Sequence, residues 1–237
     1  MTYISGFVIP LLPENKEAYR QMAVETMPMF KEYGSTRQVE AFQDDVSAGK
    51  LTDFYRSVAA KDGEAIVFSW LEYPNQDTAL KAGEKMMADP RMEAYADKMP
   101  FDGARMIYGG FDIIFDDGKA GGASYFDGAL LPVKIAHKQA YTELAGTMSP
   151  MFLEHGALRV VEAWGADITD GQVTDFKRAV ALKADEAVVF SFIEWPDKAT
   201  RDAAWGAMFA DPRMSAGEGL MDETRRVFGG FVPLLDA

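Results

Sequence analysis

The chain meets its own copy when it is shifted along itself. Pro28-Met29-Phe30 recurs as Pro150-Met151-Phe152, Thr52-Asp53-Phe54 as Thr174-Asp175-Phe176, Val67-Phe68-Ser69 as Val189-Phe190-Ser191, and Asp89-Pro90-Arg91-Met92 as Asp211-Pro212-Arg213-Met214. About 40 of the 90 positions from Tyr3 to Met92 are identical at this offset, far above chance. The register then slips by two, so that Gly109-Gly110-Phe111 meets Gly229-Gly230-Phe231. The fold must therefore be built from two like units. Residues 1–116 form the first, 124–237 the second, and the Gly/Ala-rich stretch 117–123 between them reads as a flexible linker.

Each copy has the same layout. Tyr3 to Leu12 is apolar and rich in strand formers. Glu14 to Tyr33 places Tyr19, Met22, Ala23, Thr26, Phe30 and Tyr33 at helical spacing, with Gly34 where a C-terminal cap belongs. Strands follow over Thr36–Asp45 and Glu64–Tyr73, a second helix over Asn75–Ala88, and a last strand over Arg105–Phe115. The order β-α-β-β-α-β is the ferredoxin-like plan, and the class is α+β.

The third strand fixes how the units combine. Ile66, Phe68 and Trp70 lie on one face, Ala65, Val67, Leu71 and Tyr73 on the other. A half-solvated antiparallel strand alternates apolar with polar, and this one does not. Its helices can cover one face; the other needs the sheet of the second copy, whose Val188–Ile193 is apolar on both faces too. The expected architecture is two repeats packed sheet to sheet as an intramolecular barrel.

Composition excludes several partners. A net charge of −13 repels phosphate backbones and anionic lipid, so neither nucleic acid nor membrane is expected. With no cysteine there is no disulfide and no thiolate chemistry. The two histidines, His137 and His155, cannot form a zinc-type cluster, and neither metal nor cofactor is expected. The N-terminal Met-Thr-Tyr-Ile-Ser-Gly-Phe-Val-Ile-Pro lacks a basic segment and reads as no signal peptide, which leaves the cytoplasm as the expected setting.

Several segments resemble the YbaA-like family of unknown function: His155-Gly156-Ala157-Leu158, the Val161-Glu162 pair, Asp175–Val180, Met99–Phe111 and the Asp-Pro-Arg-Met tetrapeptides. The resemblance covers essentially the whole chain, once per copy. It implies the dimeric α+β barrel superfamily, which holds cofactor-independent monooxygenases, isomerases, haem-handling enzymes and proteins without known activity. Copy one departs at Tyr33, where copy two has His155. Copy two departs at Leu220–Thr224, where copy one keeps the longer Met99–Ala104.

Glu162 shares a strand face with Leu158, Val160 and Trp164, so its carboxyl should sit in an apolar layer. Desolvation there raises its pKa toward that of a general base. Glu40 is its counterpart on a wetter face, and an ion pair to an arginine is the structural alternative for both. His155, or Tyr33 in copy one, is the candidate proton partner. Arg105, Arg225, Arg56 and Arg178 recur in both copies and could fork onto a carboxylate of ligand or protein. Arg105 and Arg225, near the glycine pairs, are the preferred ligand-side choice; Trp70 and Tyr108 complete the set. Gly109-Gly110 and Gly229-Gly230, with Gly6 and Gly128 alongside, mark either a pocket floor or room for close packing. The 14 methionines read mainly as core filling.

Together these point to a protein that binds a small, partly apolar molecule, with cofactor-independent oxygenation or isomerisation as candidate chemistry. A non-catalytic binding or interaction module is the alternative, and no motif decides whether the chain is an enzyme. The two repeats are the expected partners of each other, and a further homodimer is left open.

Overall fold

The computed structural model describes residues 2–96, 98–217 and 219–237. The first half runs β1 (Tyr3–Leu11), α1 (Lys16–Glu32), β2 (Arg37–Val46), α2 (Phe54–Ser57), β3 (Ala65–Tyr73), α3 (Gln76–Ala88), α4 (Pro90–Ala96) and β4 (Ile107–Gly118). The second runs β5 (Tyr125–Lys134), α5 (Lys138–Glu154), β6 (Arg159–Asp167), α6 (Phe176–Ala179), β7 (Glu186–Trp195), α7 (Lys198–Met208) and β8 (Val227–Asp236). Asp117 and Gly118, expected in the linker, instead end β4, where they pair with Val160 and Arg159.

The eight strands close into one barrel in the order β1-β3-β2-β8-β5-β7-β6-β4, and every pairing is antiparallel. Two of the neighbours join the halves: β2 pairs β8, and β4 pairs β6. The sheets thus face each other and also share their edges, which closes the expected barrel. Register shifts fall at both seams, as expected where a bulge bends a strand to close a barrel.

Every residue of β3 is buried, so both its faces are walled in. Ile66, Phe68 and Trp70 point into the barrel. Phe68 stacks on Phe190 with centroids 4.5 Å apart, and Trp70 on Phe192 at 4.2 Å. Gly6 has no room for a side chain because a Cβ there would lie 2.8 Å from Phe190. Phe54 of α2 and Phe176 of α6 plug one end, edge-on to the interior rings. Each large apolar side chain buried in this way contributes about 1.5–3 kcal/mol. These rings and the aliphatic side chains around them pack the barrel interior as a core.

A swapped set of ion pairs closes the other end. Arg37 of the first half bonds Glu194 (2.6 Å) and Asp236 (2.8 Å) of the second. Arg159 of the second bonds Glu72 (2.7 Å) and Asp116 (2.8 Å) of the first. Val67 and Leu71, on the outer face of β3, pack instead in separate clusters with helix residues such as Tyr19 and Ala82.

Candidate functional site

Strand β2 alternates, with Val39 and Ala41 in the barrel core and Gln38 and Glu40 on the outer face toward α1. Directly across from Glu40 in the ladder is Ser69. Tyr19 of α1 donates to Glu40 Oε2 at 2.5 Å, and Gln38 Nε2 donates to Oε1 at 2.8 Å. The second half repeats the cluster. Glu162 faces Ser191 in the ladder, Tyr141 Oη donates to its Oε2 at 2.7 Å, and Ser191 Oγ to its Oε1 at 2.9 Å.

No salt bridge reaches either carboxylate among the described residues, so the expected arginine partners are corrected to tyrosine and serine hydroxyls and a glutamine amide. Burial raises the Glu40 carboxyl above its ordinary value, and lifts Glu162 to about 7, with the hydroxyl donors pulling the other way. The same burial, with the adjacent carboxylate, pushes the Tyr19 and Tyr141 phenols well up. Each cluster is a carboxyl that burial makes harder to ionise, beside a phenol that stays protonated.

Each glutamate lines a cavity between sheet and helices. The first half's has a volume of about 690 Å³ and a mostly apolar wall, with Met22 and Phe30 from α1, Met86 from α3, and Phe101 and Met106 before β4. The second half's is smaller, about 490 Å³. Three buried polar atoms among the described residues have no hydrogen-bond partner: Tyr3 Oη, Gln38 Oε1 and Thr52 Oγ1. Tyr3 and Gln38 both line the larger cavity. Buried polar groups are nearly always satisfied, so two orphans in one cavity wall call for an explanation.

The other predicted residues fall elsewhere. Trp70 lies in the sealed barrel interior, because strand alternation separates two faces without saying which meets the partner sheet. Arg105 forks onto Glu64 (2.5 and 2.6 Å) and holds Asp102 and the Ala59 carbonyl. Arg225 does the same with Glu186, Asp222 and the Ala181 carbonyl. Ala59 and Ala181 have φ of 46° and 47°, a region alanine rarely occupies, and the arginines clamp those turns. Arg56 and Arg178 bind Asp53 and Asp175 and the carbonyls of Gly49 and Gly171.

Tyr33 donates to Asp89 at 2.5 Å, and His155 caps α5; the hydrogen bonds of Glu40 and Glu162 go to other residues. Tyr108 does line the first cavity, at its exposed rim. Gly110 gives space to the Tyr3 hydroxyl, which a Cβ would meet at 1.8 Å. The sequence reading missed Tyr19, Tyr141, Ser69, Ser191 and Gln38. The retention of both tyrosines and both serines across the repeat was the signal available.

Among the described residues no group of three or more acidic or histidine side chains is arranged to hold a metal ion. Nor is any described helix long and apolar enough to cross a membrane.

A closed eight-stranded antiparallel barrel, made of two like halves and flanked by helices, defines an α+β barrel protein. The profile of the family described as a protein of unknown function, DUF1428, matches residues 2–103 and 124–224, and the chain belongs to that family. The uncharacterized protein YbaA of Escherichia coli K12 is 50% identical over 117 residues, which is 100% of that protein and 49% of this chain. Among solved structures, a protein from Lactobacillus acidophilus provisionally assigned as a monooxygenase aligns over 100% of this chain and 95% of its own, with a TM-score of 0.63 and 10% identity. An anthrone oxidase-like protein aligns over 100% and 92% with a TM-score of 0.56 and 9% identity. Identities this low show a shared fold alone.

Proposed function

We propose that the chain binds a small, largely apolar molecule in the first half's cavity, and that Glu40, held by Tyr19, moves a proton on it. The carrying observation is a roomy apolar cavity whose wall holds a buried carboxyl with only neutral hydrogen-bond partners. A carboxylate desolvated in this way is a stronger base than one in water. Abstraction of a proton from a carbon or oxygen acid of the ligand is the first step that cofactor-independent oxygenation and isomerisation share. The assignments of two structural neighbours, a monooxygenase and an anthrone oxidase-like protein, are compatible with this class.

In the same reading each half is a ferredoxin-like unit, the setting is cytoplasmic, and the smaller second cavity is a non-catalytic counterpart, crowded by Trp205 and Phe152. The test is a thermal-shift screen of apolar carbonyl and phenolic metabolites. Binders should raise the Tm of the wild type and lose that effect in Gly83→Trp, which fills the cavity. Glu40→Gln should keep the binding and lose any turnover of the hit. A screen without a single cavity-dependent binder would overturn the proposal.

A further inference from the structure

The repeat places an internal stand-in for a ligand inside the molecule. In the second half, Arg201 of α7 lies over the sheet. Its Nε donates to Asp127 Oδ1 at 2.8 Å and its Nη1 to Asp45 Oδ2 at 2.8 Å. Its guanidinium carbon sits 5.7 Å from the Tyr125 ring centre and 5.8 Å from that of Phe228, distances at which a cation is held by aromatic faces. Trp205 closes the space beside it with a bond to Asp127 at 2.7 Å, and Tyr125 Oη donates to Asp44 at 3.0 Å.

The first half keeps part of this surround, with a serine in place of the buried aspartate, and lacks the arginine. The repeat puts Ala79 where Arg201 stands, Gly83 where Trp205 stands and Ser5 where Asp127 stands. Asp167 matches Asp45, Tyr3 matches Tyr125 and, after the two-residue slip, Tyr108 matches Phe228. All six line the larger cavity. The Tyr3 hydroxyl, bonded to Asp44 in its counterpart, is buried here without a carboxylate partner in strict hydrogen-bond geometry, because Ala166 takes the place of Asp44. A Cβ built on Gly83 meets nothing within 4 Å. One carboxylate, three hydroxyls and two aromatic rings, those of Ser5, Tyr3, Tyr108 and Asp167, thus line the space that a guanidinium fills in the other half.

We infer that the first cavity takes a ligand bearing one cationic nitrogen group, a primary ammonium or guanidinium, on an apolar body. The head lies against Asp167 and the Tyr3 and Tyr108 rings, and the body runs along the methionine-lined wall toward Glu40. Asp167 is the carboxylate among these six, and Glu84 lines the same cavity, so the surround favours a positive charge. Ser5 and Tyr3 offer hydroxyls to the remaining N–H groups or to a bridging water. This inference deepens the binding reading above and rests on the same cavity.

The experiment titrates the full chain with hexylammonium, hexylguanidinium, hexanol and hexanoate, following methionine methyl resonances by NMR. Met22, Met86 and Met106 report the cavity. The two cations should bind at least tenfold more tightly than hexanol, with hexanoate weakest. Asp167→Asn, at an exposed position, should remove most of that advantage. Ala79→Arg, which restores the second half's guanidinium, should abolish cation binding and leave hexanol at the Glu40 end. Equal binding of hexanol and the cations at these methyls would overturn the charge assignment while leaving the cavity reading intact. No cavity methyl responding to any of the four probes would sink both.

Discussion

In the second half Trp205 fills the space over the sheet that Gly83 leaves open in the first, and Arg201 occupies the place of Ala79. The second half satisfies its own polar groups: Asp127 receives Arg201, Trp195 and Trp205, and the Tyr125 hydroxyl has Asp44. The first half leaves Tyr3 and Gln38 short of partners and keeps the larger cavity. An unsatisfied buried polar group costs about 1–3 kcal/mol. One frame has thus reached two opposite solutions for the same volume, a filled space in one half and an open cavity in the other.

Removing Arg201 should break that comparison most visibly. Arg201→Ala strands the buried Asp127, and breaking a buried pair costs about 3–5 kcal/mol. Urea unfolding of the variant should show that loss, and a change under about 1 kcal/mol would mean the cluster does not hold the second half together. A pH series on Glu162 comes next. Its folded pKa of about 7 lies above the ordinary 4.5, so the fold favours the neutral carboxyl. The stabilisation is full below about pH 4.5 and is lost as pH rises through 7. Glu162→Gln does not titrate, so from pH 4.5 to 8 it should gain on the order of 2–3 kcal/mol relative to wild type. A Tm difference that stays flat with pH would count against a desolvated carboxyl.

The smallest effect sharpens the contrast. Gly83→Trp copies the second half's solution into the first, where open space awaits the side chain and a helix-interior glycine is replaced. Stability should rise by up to about 1 kcal/mol, and apolar binders should be excluded. A melting temperature lowered by several degrees would show that this space is not the cavity described.

How much could be read without coordinates depended on the range of the interaction. Two apolar faces on β3 imply two walls, and the duplication named the second wall, so the barrel was legible. Glu162 was legible as a carboxyl in an apolar layer because strand alternation fixes its face. Its partner was not, because helical periodicity does not say which turn of α5 comes to rest over which rung of the ladder; Tyr141 does, and His155 ends the helix away from it. Which carboxylate Arg105 and Arg225 hold was not legible, because Glu64 and Glu186 stand about 40 residues away, with no local pattern linking them.

The two seams carry a consequence for how such a molecule can vary. Half of this chain alone would expose β2 and β4 as open strand edges, and a barrel assembled from two separate identical copies would carry every substitution twice. An arginine filling one cavity would then fill both. Joining the copies through the short connection between β4 and β5 lifts that obligation: one side can be spent on rigidity while its twin stays hollow.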